Sequence, residues 1–569
     1  MSLDALSSVA YGPEAMLLVL VAAGTGALHA ALPLTLAIAG MLGLLVVSYS
    51  QVIAAHPNGG GAYAVAKQDL GRTVSLLAAA SLVVDYVLTV AVSLAAGAAS
   101  LGSAFPSLSH HLLAVALIGL VLLTVVNLFG LAESAKLLML PTLLFVVSIL
   151  AVVVVGLLRS HPVAVIGSSL APFPVTEALG VVLLLKAFAA GCSAVTGVEA
   201  IANGAPEFRS VQSAQRTEVA LGALLATMLI GLAVLIRVHH IVPRGGVTIL
   251  AQATAGSFGT GWAFYVTNLT VTLVLAAAAN TSFGGLPVLF NLLARDHRFP
   301  HMFYLRAEKP VYRHGIVALA LLAGLLLVAV DAKTNDLIPL FTIGVFIGFT
   351  ISQTGLVRHW RKVRSPHWRA RAALNAVGAV VTAVAVVVFV VSKFVEGAWL
   401  VVLAVPILMV LFDRTEKYYA EVADELRLGE TPPHPHAGKS LVIVPTSKVN
   451  LLTERVLSAA LSLSENVVAL AVAGDDDERK EIEHDWAIWK CDVRLEVIVD
   501  PGRSLVHTVL RYVESITAED LTITVLIAEI EPRKPWHEVL HNQRGRLLAA
   551  VLRSRTDVIV ATLPFRLHE

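Results

Sequence analysis

Twelve runs of about twenty apolar residues fill the first 412 positions, centred near Met16, Met41, Thr89, Ile118, Val147, Ala194, Thr227, Leu273, Ala323, Phe346, Val384 and Leu403. Each can cross a hydrocarbon core of roughly 30 Å as a helix. Residues 1–412 are therefore predicted to be an α-helical polytopic membrane domain with twelve spans. The pattern then changes. Residues 413–438 begin with DRTEKYYAEVADELRLGE, an expected amphipathic helix with Tyr419, Val422 and Leu426 on one side, and end in the linker TPPHPHAG. From 439 to 569 five short β-branched runs, SLVIVPTS, NVVALAVAG, RLEVIVDPG, TITVLIAEI and DVIVATLPF, alternate with stretches long enough for helices. This predicts a cytoplasmic α/β domain with a parallel sheet of Rossmann type.

Composition agrees: 57% of residues are hydrophobic and 14% charged, outside the range of soluble domains of this length. The net charge of +1 says little, but its distribution sets an orientation. Lys67, Arg72, Lys136, Arg209, Arg216, Arg295 to Arg313 and the RHWRKVRSPHWRAR stretch fall in alternate loops, which are read as cytoplasmic. Both termini then lie inside the cell, and the protein is expected in the plasma membrane. No basic region or small-residue cleavage site precedes Tyr11, so no cleaved signal peptide is expected. Cys192 and Cys491 suggest neither a disulfide framework nor a cysteine metal site. The α/β domain lacks G-x-G-x-x-G and P-loop motifs, nothing points to a nucleic acid polymer, and no cofactor is expected. Its charged run GDDDERKEIEHD reads as a capped, solvated helix.

Two apolar runs are interrupted by polar residues, glycine and proline: SSVAYGPEA in the first and AVTGVEAIANGAPEF in the sixth. Interrupted helices five spans apart point to a five-plus-five inverted repeat with the substrate held at the breaks. In the third run Ser81, Asp85, Thr89, Ser93 and Gly97 recur every four residues, reading as one polar stripe facing one partner. A carboxylate at membrane depth costs at least roughly 2.5 to 3.5 kcal/mol, so Asp85 must face protein, water or an ion. Thr196, Glu199 and Asn203 follow the same logic in the sixth run. Asp4 and Tyr11, seven residues apart, are expected on one face, and Glu14, just after Pro13, is expected to cap the new half-helix. Hydroxyls, freed carbonyls and carboxylates are hard oxygen donors that suit a cation stripped of water, and a buried acid nearby can carry a proton.

With these residues in place, ALSSVAYGPEA, NGGGAY, SLVVDYVLTVAVS, AVTGVEAIANG, IPLFTIGVFIGFTISQ and the C-terminal domain together resemble KUP-family potassium importers of the KimA type. NGGGAY, Asn58 to Tyr63, marks only the wider amino acid, polyamine and organocation superfamily. The C-terminal sheet resembles the universal stress protein fold without its glycine-rich ATP signature. The resemblance implies a homodimer of LeuT-type fold that imports potassium with protons and is inhibited by cyclic di-AMP at its cytoplasmic domains. It also implies that Tyr11, Asp85, Thr89, Ser93, Thr196 and the position of Phe341 line the potassium sites. Phe341 stands where relatives usually place a tyrosine. Asp4, Tyr86 and Glu199 would serve gating or proton coupling. His301, where an arginine is expected, would meet the cyclic dinucleotide. In the α/β domain, Pro445 and Thr446 of PTSK lie at a strand end, and His541, Arg544 and Arg546 are candidate phosphate or base partners.

Two other readings compete with import. A proton-coupled amino acid permease would hold a substrate carboxylate on a glycine-rich break, which SSVAYGPEA lacks, and Asp85 and Glu199 would repel that group. A membrane-anchored nucleotide sensor needs neither twelve spans nor two broken helices.

Overall fold

A computed structural model describes residues 3–57, 59, 61–130, 135–168, 175–304, 312–432, 434, 438–502, 504–516, 520–531 and 544–566. The chain divides into two compact units, Met1–Leu428 and Gly429–Glu569.

The first unit is helical: α1 (Leu3–Ser7), α2 (Gly12–Leu20), α3 (Ala31–Ala55), α4 (Gly61–Val65), α5 (Arg72–Ala104), α6 (Leu112–Leu128), α7 (Ala135–Leu157) and α8 (Val181–Gly191) form its first part. It continues with α9 (Glu199–Asn203), α10 (Val211–Val238), α11 (Ile249–Phe258), α12 (Trp262–Arg295), α13 (Arg313–Ala329), α14 (Thr334–Val363), α15 (Trp368–Lys393) and α16 (Trp399–Glu425). Among the described residues eight helical segments are long and apolar enough to cross a membrane, and Leu112–Leu128, Val181–Val195 and Arg313–Ala329 are shorter apolar helices. Leu122, Leu325 and Val391 stay exposed on the outer faces of α6, α13 and α15, where lipid rather than water suits them. The helices α5 and α14 are the most enclosed.

Both expected interruptions are present. Pro13 has no N–H to donate to the carbonyl of Val9, and the chain takes a 3-10 turn over Ser8–Ala10 between α1 and α2. The second break is a 3-10 turn over Cys192–Val195 followed by extended Thr196 and by Gly197 at φ +81°. The two breaks pack on each other. The Ser8 hydroxyl donates to the carbonyls of Ala5 (2.6 Å) and Ala194 (2.7 Å), tying one break to the other.

The helix α16 runs unbroken through residue 413 to Glu425, so the expected amphipathic helix is the continuation of the last apolar run rather than a separate element. No proline or glycine lies between Phe412 and Glu425 to stop it. Its Tyr419 and Val422 are half-buried, whereas Leu426 lies beyond the helix and is exposed.

In the second unit the strands β1 (Lys439–Thr446), β2 (Val467–Ala473), β3 (Arg494–Val499), β4 (Leu521–Glu531) and β5 (Ile559–Arg566) form one sheet, β3-β2-β1-β4-β5, all parallel. The helices α17 (Leu451–Leu463) and α18 (Asp476–Trp489) share one hydrophobic layer with the sheet, and α19 (Leu505–Ile516) and α20 (Arg544–Arg555) share the other. The strand order therefore reverses between β1 and β4, which leaves a crevice beyond their C-terminal ends. The acidic run caps α18 as expected: Asp475 accepts from the Glu478 amide at 2.8 Å, and Glu478 reaches back to the Gly474 amide at 2.8 Å. Past β3, Asp500 accepts from Thr508 Oγ1 (2.8 Å) and from the amides of Gly502 and Ser504, which hold its carboxyl below the usual range.

Candidate ion-binding site

A cavity of about 1380 Å³ runs through the first unit. Asp4 from α1, Asp85, Tyr86 and Thr89 from α5, and Glu199 and Asn203 from α9 line its deep part, and Lys67, Arg295 and Asp296 line its far end. Two of the carboxylates thus come from the short helices beside the breaks, and the third from the central helix between them. Among the described residues, Asp4 Oδ1, Glu199 Oε2 and Asn203 Oδ1 are buried without a hydrogen-bond partner. Asp85 is 6% exposed and accepts a long bond, 3.4 Å, from Thr89 Oγ1. Buried acceptors left without donors demand a proton or a cation.

The remaining candidates lie outside the lining of that cavity. Tyr11, Ser93, Thr196 and Phe341 are all buried, but none lines it. Tyr11 borders a small void of about 20 Å³ with Glu14, and its hydroxyl bonds Thr196 within reach of the charges of Asp4, Asp85 and Glu199. Asp4 and Tyr11 thus stay close although a 3-10 turn separates them.

The polar stripe on α5 also departs from expectation. A step of four residues rotates by about 40°, so sixteen residues accumulate about 160°. At the Ser81 and Asp85 level the α5 backbone packs on Gly344 of α14, whereas at Gly97 its carbonyl accepts from Thr272 Oγ1 of α12 at 3.1 Å. The stripe therefore serves two partners, and only Asp85 and Thr89 of its members reach the cavity. Glu14 caps a helix, but not its own: Glu14 Oε2 accepts from the amide of Ile249, in the first turn of α11, at 3.1 Å. Its partner lies 235 residues away, which no local pattern could reveal.

Tyr86 stands against α12, where a methyl group on Gly285 would meet its ring at 2.5 Å and its hydroxyl at 2.9 Å. In the NGGGAY motif, Gly59 and Gly61 pack against Asn203 at positive φ, and Asn58 lies outside the described residues. The far end of the cavity is held by charge. Burial alone would raise the Asp296 carboxyl pKa, but Asp296 accepts twice from Lys67 (2.7 Å) and from Tyr63 (2.5 Å), and these partners together lower it. Arg298, 7% exposed, bonds Ser75 Oγ at 2.8 Å and Glu416 at 3.2 Å, and Arg72 pairs with Asp413 at 2.6 Å.

Sequence reasoning missed Glu218 on α10. It is fully buried, and among the described residues neither carboxylate oxygen has a hydrogen-bond partner. Its position close to Arg216 in QRTEVALGALL reads as a solvated span end; only the unbroken apolar run after it hints otherwise.

The regulatory candidates divide between the two units. His301 stacks on Tyr419 at 4.0 Å, and its amide donates to the Tyr419 hydroxyl at 3.1 Å. Pro445 and Thr446 are the last two residues of β1, with Thr446 Oγ1 3.3 Å from Thr453 Oγ1. Arg544 and Arg546 open α20, Arg546 being 4.0 Å from Glu529, and His541 lies outside the described residues.

Comparison with known proteins adds three findings. The amino acid permease family matches residues 5–412, and the KimA potassium transporter C-terminal domain matches residues 438–565. The potassium transporter KimA of Bacillus subtilis (strain 168) is 37% identical over 573 residues, covering 99% of this chain and 94% of that protein. A match of this length spans the cavity, both breaks and the α/β unit together, and the chain belongs to the KimA family of potassium transporters.

Proposed function

We propose that the protein imports potassium together with protons by alternating access, as a homodimer in the plasma membrane with both termini cytoplasmic. The observation that carries this reading is the convergence of Asp4, Asp85 and Glu199 on one cavity beside two helix breaks, with an oxygen of Asp4 and one of Glu199 unpartnered among the described residues. Buried carboxylates with a hydroxyl and a side-chain amide oxygen make a hard, negative oxygen site suited to a dehydrated monovalent cation. The relationship to a named potassium transporter supports the choice of ion. The same donors argue against an amino acid as substrate, since its carboxylate would face three acids.

In this reading the twelve apolar runs are twelve spans, ten of them forming a LeuT-type pair of inverted repeats. The cavity opens toward Lys67, Arg295 and Asp296, on the side that carries the basic loops, so this form faces the cytoplasm. Asp85 and Thr89 hold the ion, with Tyr11, Ser93, Thr196 and the Phe341 position completing its path from the other side. Asp4 and Glu199 exchange the proton, and Tyr86 gates. Rubidium uptake in cells stripped of other potassium importers tests the whole: uptake that labelled amino acids do not compete with is expected, and none above background would refute it.

Proton coupling has its own test in liposomes. Uptake driven by an imposed potassium gradient should rise with an inward proton gradient, fall with protonophore, and lose both responses in Glu199→Gln. A wild-type rate indifferent to pH and protonophore would remove coupling and leave import standing.

Regulation by cyclic di-AMP at the C-terminal unit completes the proposal. It is supported by the family match over 438–565 and by the crevice where the sheet reverses, with Thr446 at its β1 side. Pro445, Arg544 and His541 are its proposed contacts there. Micromolar cyclic di-AMP is expected to bind the full-length protein and slow rubidium uptake several-fold; neither effect appearing would end this part alone.

A further inference from the structure

Away from the cavity, three residues far apart in sequence meet in a second cluster. His56 follows the last turn of α3, Asp69 lies in the π-helical turn Ala66–Leu70 after α4, and His359 lies on α14. His56 Nε2 is 3.2 Å and His359 Nδ1 is 3.6 Å from Asp69 Oδ2, and one donor atom from each residue lies within 4.8 Å of the others. The side chains of His56 and Asp69 are each only 5% exposed, and that of His359 is 16% exposed.

The hydrogen bonding of His56 settles what faces what. Its Nδ1 lies 2.9 Å from Gln68 Oε1, an oxygen that can only accept, so Nδ1 carries the ring proton. In the neutral ring Nε2 then directs a lone pair at a carboxylate oxygen, and among the described residues neither Nε2 nor Asp69 Oδ2, both buried, has a hydrogen-bond partner. Two acceptors at 3.2 Å repel unless something positive lies between them. One proton could bridge Asp69 to one imidazole but not to both, whereas a metal ion serves all three donors.

The geometry points to a divalent transition-metal site of the kind zinc occupies, formed by His56 Nε2, Asp69 Oδ2 and His359 Nδ1. Zinc bonds of about 2.0–2.1 Å in a tetrahedron separate neighbouring ligands by about 3.3–3.4 Å, close to the 3.2 and 3.6 Å found here. Two imidazoles and one carboxylate select zinc, nickel or copper over magnesium and potassium, which prefer oxygen alone. Gln68 plays the outer part usual for a metal-bound histidine, fixing the tautomer through the nitrogen that does not ligate. The fourth position is left for water. The site joins α3, α14 and the turn that also carries Lys67, so an ion here fixes the turn whose Lys67 holds Asp296 at the cavity mouth.

The test uses full-length protein purified without a polyhistidine tag, stripped with chelator and titrated with zinc alone and then cobalt alone. Wild type should bind one equivalent of zinc per chain at micromolar or tighter affinity, show the visible absorption of four-coordinate cobalt, and melt at a higher temperature with zinc. His359→Gln should weaken binding at least tenfold, and His56→Gln with His359→Gln should abolish the equivalent. Absence of that equivalent in wild type overturns the proposal without any variant. So does undiminished binding in the double variant, which would place the metal on others of the nineteen histidines.

Discussion

Asp85→Asn should reduce rubidium uptake to background, at least a hundredfold, while the protein still inserts and elutes as the wild type does. Asparagine keeps the volume of the side chain and still accepts from Thr89 Oγ1, the one hydrogen bond Asp85 makes in the described structure. It deletes only the charge. Removing one member of a buried charge pair costs about 3–5 kcal/mol, and each 1.4 kcal/mol is a factor of ten, so about two to three and a half orders of magnitude follow if Asp85 faces the ion. Thr89→Val removes a neutral oxygen from the same wall, and its effect should fall mainly on apparent affinity. Uptake at saturating rubidium, normalised to protein in the membrane, separates the two. Wild-type uptake by Asp85→Asn would take the residue out of the ion path.

Gly12→Ala should be nearly as damaging, through packing rather than charge. The Cβ it adds would overlap the Ala194 side chain and lie 2.9 and 3.0 Å from Ala194 Cα and N, so the two breaks would have to part. Overpacking of this kind costs typically 1–3 kcal/mol, and here it also lengthens the 2.7 Å bond from Ser8 to the Ala194 carbonyl. Uptake should fall at least tenfold with a lower melting temperature. Adding Ala194→Gly removes the worst overlap and should restore part of both. If the double variant is no better than Gly12→Ala alone, the contact between the breaks is not the cause.

These breaks were legible in the sequence because their causes are local. Pro13 lacks a donor, and Gly197 adopts a φ of +81° that other residues resist. The five strands were legible for a similar reason, their β-branched runs being bounded by turn residues. What was hidden depends on distant partners. The Tyr11 hydroxyl meets Thr196 only because one break packs on the other. Glu14 meets Ile249, and His56 meets Asp69 and His359, only once helices from remote parts of the chain are packed together. The helix expected from residue 413 is present as the second half of α16, because a helix backbone is indifferent to the change from apolar to charged residues.

That uninterrupted helix has a mechanical consequence. Beyond Pro406 the helix continues to Glu425 without a further proline, a length of about 28 Å at 1.5 Å per residue, and rods transmit twist where tethers absorb it. Arg72 and Arg298 grip it through Asp413 and Glu416, neighbouring positions a single turn apart on the same side. Turning the rod about its own axis by a few tens of degrees would drag both acids off their arginines at once. A twist of the segment leading to Leu428 is therefore felt at both ion pairs beside the cavity mouth.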